Sequence, residues 1–210
     1  MLVLGVAAPA ASAQVAVAVK VTPSETRYGS KTTISGTVTE NGAPVAGRRV
    51  HLQGRRYPFR GDFRWLATGT TAADGTVGFE REFDRNFDVR LLVGDVASAP
   101  VRAFVFPRIK LTFKPRNSRV IALTQRYRVP HGVKLERPTR FYVGRRGRPT
   151  APLAATADVK QVASGRFVSK AVVRIPSAWG GRFRYASCFT YTPGSGMGDP
   201  KAKCPKKFKF

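Results

Sequence analysis

The sequence predicts an all-β chain: an antiparallel β-sandwich over residues 14–106, then a second antiparallel β domain over residues 107–210. Three observations predict it. Apolar and polar residues alternate along many short runs, the period of a half-buried strand, and no stretch repeats its apolar residues at helical spacing. In the first half about seven such runs recur every 8–12 residues with turn-forming residues between them, as in sandwiches. The charge also changes abruptly: residues 1–106 carry 13 Lys+Arg against 9 Asp+Glu (net +4), whereas residues 107–210 carry 24 against 3 (net +21).

From Gln14 to Thr22, Val15, Val17, Val19 and Val21 share one face and Ala16, Ala18 and Lys20 the other. Pro23 to Ser30 reads as a polar connection. Lys31 to Thr39 is a second strand with Ile34 and Val38 inward; Gly36 shares that face, which predicts close packing against the opposite sheet or a bulge. Glu40 to Pro44 is a turn, because Asn41-Gly42 tolerates positive φ and Pro44 has no N–H for a central strand. The next strand runs through Val50-His51-Leu52, and Arg55 to Asp62 is a loop. Phe63 to Thr71 is a strand with Trp65 or Leu66 in the core, Ala73-Asp74-Gly75 a turn, and Thr76 to Phe83 a strand with Val77, Phe79 and Phe83 inward. Asp88 to Val93 and Pro100 to Phe106 close the first domain.

In the second half, Arg108 to Lys114 alternates Ile109, Leu111 and Phe113 against Lys110, Thr112 and Lys114. Val120 to Arg128, Thr139 to Val143, Arg166 to Ile175 and Arg182 to Thr192 are further strands, with basic residues repeatedly at outward positions. The tail from Pro193 is Gly-rich, then Lys-rich, and Gly194 to Gly198 reads as a flexible loop.

Two stretches of the first half carry a resemblance. Gly42-Ala43-Pro44-Val45-Ala46-Gly47-Arg48-Arg49-Val50-His51-Leu52 fits a G-x-P-V-x-G-x-x-V-x-L pattern, and Thr71 to Phe79 contains a D-G-x-x-x-F turn and strand. Residues 14–106 thereby resemble bacterial immunoglobulin-like and carboxypeptidase-regulatory-like β-sandwich repeats. That resemblance implies an immunoglobulin-like scaffold and no particular chemistry. The Ala/Arg/Val-rich style of the whole chain is similar to exported proteins of high-GC bacteria.

Compartment follows from the two ends. Met1 to Ala10 is apolar, and Ala11-Ser12-Ala13 fits the small-residue rule of signal peptidase, so residues 1–13 are expected to be a signal peptide that lacks its basic start. The run is too short to span a bilayer, and no transmembrane segment is expected. In an exported chain Cys188 and Cys204 are expected to pair; in the cytosol they would be buried thiols. The bridge would close a loop of about 15 residues, stabilising the fold by roughly 3 kcal/mol.

A net charge of +25 and a pI near 11.4 point to anionic partners. The candidate polyanion-binding residues are Arg145, Arg146 and Arg148 in one turn, and Lys201, Lys203, Lys206, Lys207 and Lys209 in the tail. Arginine forks suit phosphate or carboxylate, and lysines act as point charges. The expected partner is an anionic cell-surface polymer such as a wall glycan, with non-specific nucleic-acid binding from counterion release alone. A secreted nucleic-acid or sulfated-polymer binder is the alternative.

Catalysis is not expected, nor any cofactor or metal. His51 and His131 lie in separate halves with no ligand spacing around them. Gly194-Ser195-Gly196 is no nucleophile elbow, and Gly194 to Gly198 lacks the Lys-Ser/Thr ending of a phosphate loop. The second half has only Glu136, Asp158 and Asp199, too few for the positioned pair of a glycosidase. Arg60-Gly61-Asp62 spells an adhesive tripeptide, but three residues match by chance, and a simple turn is expected there.

Overall fold

The computed structural model describes residues 14–199, 201 and 204–209. The expected signal peptide lies outside these residues.

Among the described residues the first half folds as ten strands: β1 (Val15–Thr22), β2 (Glu25–Arg27), β3 (Lys31–Glu40), β4 (Ala43–Pro44), β5 (Arg49–Arg56), β6 (Arg64–Thr70), β7 (Thr76–Glu82), β8 (Phe87–Val93), β9 (Val96–Ala97) and β10 (Val101–Phe106). β1, β3, β4 and β7 form one sheet, with β3 paired to the other three. The facing sheet runs β2-β10-β8-β5-β6, with the short β9 on β8. Early strands thus alternate between sheets, and β2 crosses over to lie parallel to β10. This is the Greek-key sandwich of immunoglobulin-like domains.

The alternation seen in sequence fills the space between these sheets. Ile34, Val38, Val50, Leu52, Val89, Leu91 and Val105 are buried. Gly36 is there because the sheets touch: a Cβ on it would stand 2.0 Å from Leu91 Cδ1.

Several expectations need correction. Pro23 to Ser30 is not all connection, since Glu25–Arg27 is a strand with Thr26 buried. Three residues are too few for a period to register. Pro44 is not confined to a turn; it pairs opposite Thr39 in the two-residue β4, a sheet-edge position that needs no N–H. Arg55 and Arg56 continue β5, so the loop begins at Tyr57. Of the two aromatic and aliphatic candidates on β6, Leu66 packs on the core while Trp65 is 59% exposed.

The second half forms two further sheets. β11 (Arg108–Asn117), β12 (Val120–Arg128), β16 (Arg166–Arg174) and β15 (Lys160–Ala163) lie in the order β11-β12-β16-β15. β17 (Phe183–Cys188), β13 (Thr139–Arg145), β14 (Thr150–Ala157) and β18 (Lys207–Lys209) lie in the order β17-β13-β14-β18. Ile121, Leu123, Phe141, Val143, Ala171, Val173 and Ile175 pack between them. β14, β15 and β18 were not anticipated: β14 holds Pro152 and a run of small residues, and the others are short. β17 ends at Cys188, short of the expected Thr192.

The Gly-rich segment is the largest departure from expectation. It is docked, not flexible. Met197 is fully buried in the same apolar cluster as Val89, Leu91 and Val105 of the first sandwich. Asn86 N–H donates to Gly196 O (2.7 Å) and Asn86 Nδ2 to Gly198 O (2.8 Å), while Gly198 N–H donates to Val105 O (2.8 Å). Gly196 has φ +68°, and a Cβ there would strike the Tyr57 ring at 2.7 Å. Glycine permits both the turn and the approach. Cys188 and Cys204 are disulfide-bonded, which ties both ends of this plug to the second sandwich.

Candidate polyanion-binding face

Strands β11, β12 and β16 each turn one residue in two toward the core: Ile109 and Leu111, then Ile121, Leu123 and Tyr127, then Phe167, Ala171 and Val173. Period-two geometry sends their neighbours to the opposite, outer face. That face carries nine basic residues: Arg108, Lys110, Lys114, Arg126, Arg128, Lys160, Arg166, Lys170 and Arg174. All are exposed, and the four strands contain no Asp or Glu.

Register turns these positions into rows. Arg108 lies opposite Arg128, and Arg128 opposite Arg166, giving three arginines abreast beside Pro107. The next row is Lys110, Arg126, Val168 and Lys160. Lys170 stands beyond, opposite Thr124; Lys114 and Arg174 stand farther along. Neighbouring strands are about 4.8 Å apart and the rows about 6.7 Å apart. Like charges directly opposite oppose sheet formation. Two surface grooves cross this dense end. One, of about 480 Å³, is lined by Arg108, Lys110, Arg126 and Arg128, and the other, of about 370 Å³, by Arg126, Arg128, Arg166 and Lys170. Val162 (63% exposed) borders the second.

The contrast with the first sandwich is chemical. There, arginines have carboxylates: buried Asp88 accepts from Arg102 (2.7 and 3.1 Å) and from Arg55 (3.3 Å), Glu40 accepts from Arg48, and Asp84 from Arg56. Arg55 and Arg90 also stack on Phe63, and Arg102 on Phe59, which pins the loop whose exposed tip is Arg60-Gly61-Asp62. Gly61 makes that turn at φ 77°. Arg108, Lys110, Arg126, Arg128, Lys160 and Arg166 have no carboxylate partner among the described residues.

The residues singled out in sequence sit elsewhere. Arg145 ends β13, and Arg146 and Arg148 lie in the exposed turn to β14. Lys209 pairs opposite Thr150 and Lys207 opposite Pro152, so β18 brings part of the lysine tail beside the arginine turn. Arg182 joins them, its carbonyl accepting from Arg146 N–H at 3.1 Å. Lys206 is exposed just before β18, and Lys201 follows the plug, its N–H bonded to Asp199 Oδ1 (2.8 Å). Lys203 lies outside the described residues. This corner is a second basic surface on the other sheet. The denser face was legible only as basic residues in the outward phase: Arg108, Lys110 and Lys114 of β11, and every fourth residue of β16, Arg166, Lys170 and Arg174.

Beneath the face, burial pushes the Tyr127 hydroxyl up to about 12, against the opposing effect of its hydrogen bond to Thr139. His51 Nδ1 lies 3.0 Å from Thr68 Oγ1 and its ring packs edge-on to Trp65; His131 is exposed. Among the described residues no group of three His, Cys, Asp or Glu is placed to hold a metal ion.

No protein-family model matches the sequence, and no curated protein matches it. Solved structures with similarity include the Escherichia coli adhesin FdeC, at 14% identity over 76% of this chain and 55% of that one, TM-score 0.39. Alpha-2-macroglobulins of Salmonella (11% identity, 88% of this chain, 16% of that one, TM-score 0.36) and E. coli (11%, 93%, 16%, 0.37) are also similar. The chain thus spans about half of the adhesin structure and about one sixth of each macroglobulin. Likenesses this distant bear on neither the family nor the activity of this chain.

Proposed function

We propose that this is a non-catalytic, extracytoplasmic binding protein whose second sandwich contacts an anionic polymer, such as an acidic wall glycan, while the immunoglobulin-like sandwich serves as spacer or docking module. The observation that carries the reading is the β11-β12-β16-β15 face, with nine exposed basic residues and no acid in its strands. The disulfide supports an oxidising compartment. The same proposal takes residues 1–13 as a leader and the chain as an exported bacterial protein of the high-GC type.

A base-reading role is less well supported. Single-strand binders stack bases on aromatic rings. The outward non-basic positions of β11, β12 and β16 include Thr112, Val120, Ala122, Thr124, Val168 and Val172, none of them aromatic. A charge-driven contact with a polymer backbone needs no ring.

The test is binding of residues 14–210 to purified wall glycan, double-stranded DNA and a neutral glycan across a salt series. The Arg108/Arg128/Arg166 row and the Arg145/Arg146/Arg148 turn are neutralised in separate variants. Glycan binding that survives physiological salt and is lost with the row is the expected result. Binding to every polyanion that disappears together below about 0.15 M salt would reduce the face to a solubilising surface.

A further inference from the structure

We infer that the open edge of β17 is a strand-addition site for an extended peptide that alternates apolar and acidic side chains. The site lies on the sheet opposite the dense basic face and does not depend on it.

Among the described residues β17 pairs with β13 alone. Its ladder is unbroken from Phe183 to Cys188, whereas register shifts interrupt β6 and, at Pro115, β11. Bulges and prolines blunt sheet edges, and β17 has neither. One bond sets the phase of its free groups. Arg146 N–H donates to Arg182 O (3.1 Å), and Gly144 lies opposite Arg184. Antiparallel alternation then turns the backbone of Arg184 and Ala186 toward β13 and that of Phe183, Tyr185 and Ser187 toward the open side. No backbone group of the described residues bonds to these three N–H and three C=O groups. Amide donors alternating with carbonyl acceptors are what an extended peptide supplies.

The side chains select the peptide. Directly opposite residues share a face, so peptide positions beside Phe183 and Tyr185 point inward. There Phe113, 45% exposed, has its ring centroid 5.7 Å from that of Phe183 and 5.0 Å from that of Tyr185. Apolar side chains extend that cluster. The alternate positions point outward beside Arg182 and Arg184, both exposed, as is Arg146 next to them. β11, β13 and β17 contain no Asp or Glu, so acidic side chains complement this edge. Open space follows the strand at both ends: a groove of about 480 Å³ borders Phe183, Arg184 and Tyr185, and one of about 540 Å³ borders Ser187 and Cys188. A second copy is the poorer occupant, because it brings arginine against arginine on a chain of net charge +25.

The experiment follows a fluorescent Glu/Val-alternating peptide of about eight residues by anisotropy at about 0.15 M salt, with the full chain and its disulfide intact. The comparison peptides have the same composition in two blocks, or carry N-methyl groups on one or the other alternate set of amides. The alternating peptide should bind and the block peptide should bind at least about tenfold more weakly. Methylating one set of amides should abolish binding and methylating the other should leave it, since only one set faces β17. Amide exchange at Phe183, Tyr185 and Ser187 should slow when the peptide is bound. Arg182→Glu with Arg184→Glu should weaken binding about tenfold, and Lys20→Glu on the first sandwich should not; thermal melts check that both variants are folded. Equal binding of the block peptide, or equal effects of the two methylated sets, would reduce the contact to charge and overturn strand addition while leaving the polyanion proposal intact. Absence of binding, or a dimer that protects the same three amides without peptide, would overturn the acidic peptide as the occupant.

Discussion

Replacing Arg128 with glutamate should stabilise the fold while abolishing polyanion binding. Arg128 is the middle of its row, directly opposite Arg108 on one side and Arg166 on the other. The substitution converts two like-charge cross-strand pairs into two opposite-charge pairs. An opposite-charge pair at such positions contributes about 0.2–1 kcal/mol, and exposed ion pairs sit in the lower part of that range. Two pairs, each also relieved of repulsion, give roughly 1 kcal/mol in all. For a chain of this size that is a rise of about 2–4 °C in Tm. The assay is thermal unfolding at about 0.01 M and about 1 M salt, where screening lengths are about 30 Å and about 3 Å. A rise at low salt that collapses at high salt is expected, together with loss of binding. An unchanged or lower Tm at low salt would refute the claim that these arginines oppose one another. A rise that persists at high salt would place its origin in packing rather than charge.

Gly36→Val should destabilise by at least about 1–3 kcal/mol in a urea titration, because its Cβ would overlap Leu91 and lie 2.8 Å from Ala18 O. Met197→Ala should cost about 2–5 kcal/mol, since Met197 is fully buried, and amide exchange should rise at Asn86 and Val105, which the plug covers. Removing the disulfide with paired Cys188→Ser and Cys204→Ser should cost roughly 3 kcal/mol by calorimetry, loosening the plug and β18 together. Tyr127 is protonated in the fold up to about pH 12, whereas the unfolded chain ionises near 10. Its contribution, roughly 2–3 kcal/mol, is fully present below about pH 10 and is lost as pH rises toward about 12. The slope of stability between those values should be shallower in Tyr127→Phe.

What could be read from the sequence was local and periodic. The strands Val15–Thr22, Val120–Arg128 and Arg166–Arg174 show their period in the chain itself, because each has one buried and one wet face. β2, β15 and β18 have three or four residues each, and their pairing depends on distant strands. The same divide runs through the candidate site. Arg145, Arg146 and Arg148 stand out because they are adjacent in sequence, whereas Arg108, Arg128 and Arg166 are scattered and ordinary until the ladder sets them side by side.

By itself, then, the sequence determined the all-β class, the change of charge between the halves, the cysteine pair and the outward phase of the basic residues. Alternation and composition carry those facts locally. Only the tertiary structure decided which basic positions become neighbours, that the Gly-rich segment plugs the first sandwich through Met197, and that the lysine tail returns as a strand beside the arginine turn. Antiparallel pairing joins residues far apart in the chain, and its register is fixed by how buried faces fit across sheets, which no single strand records.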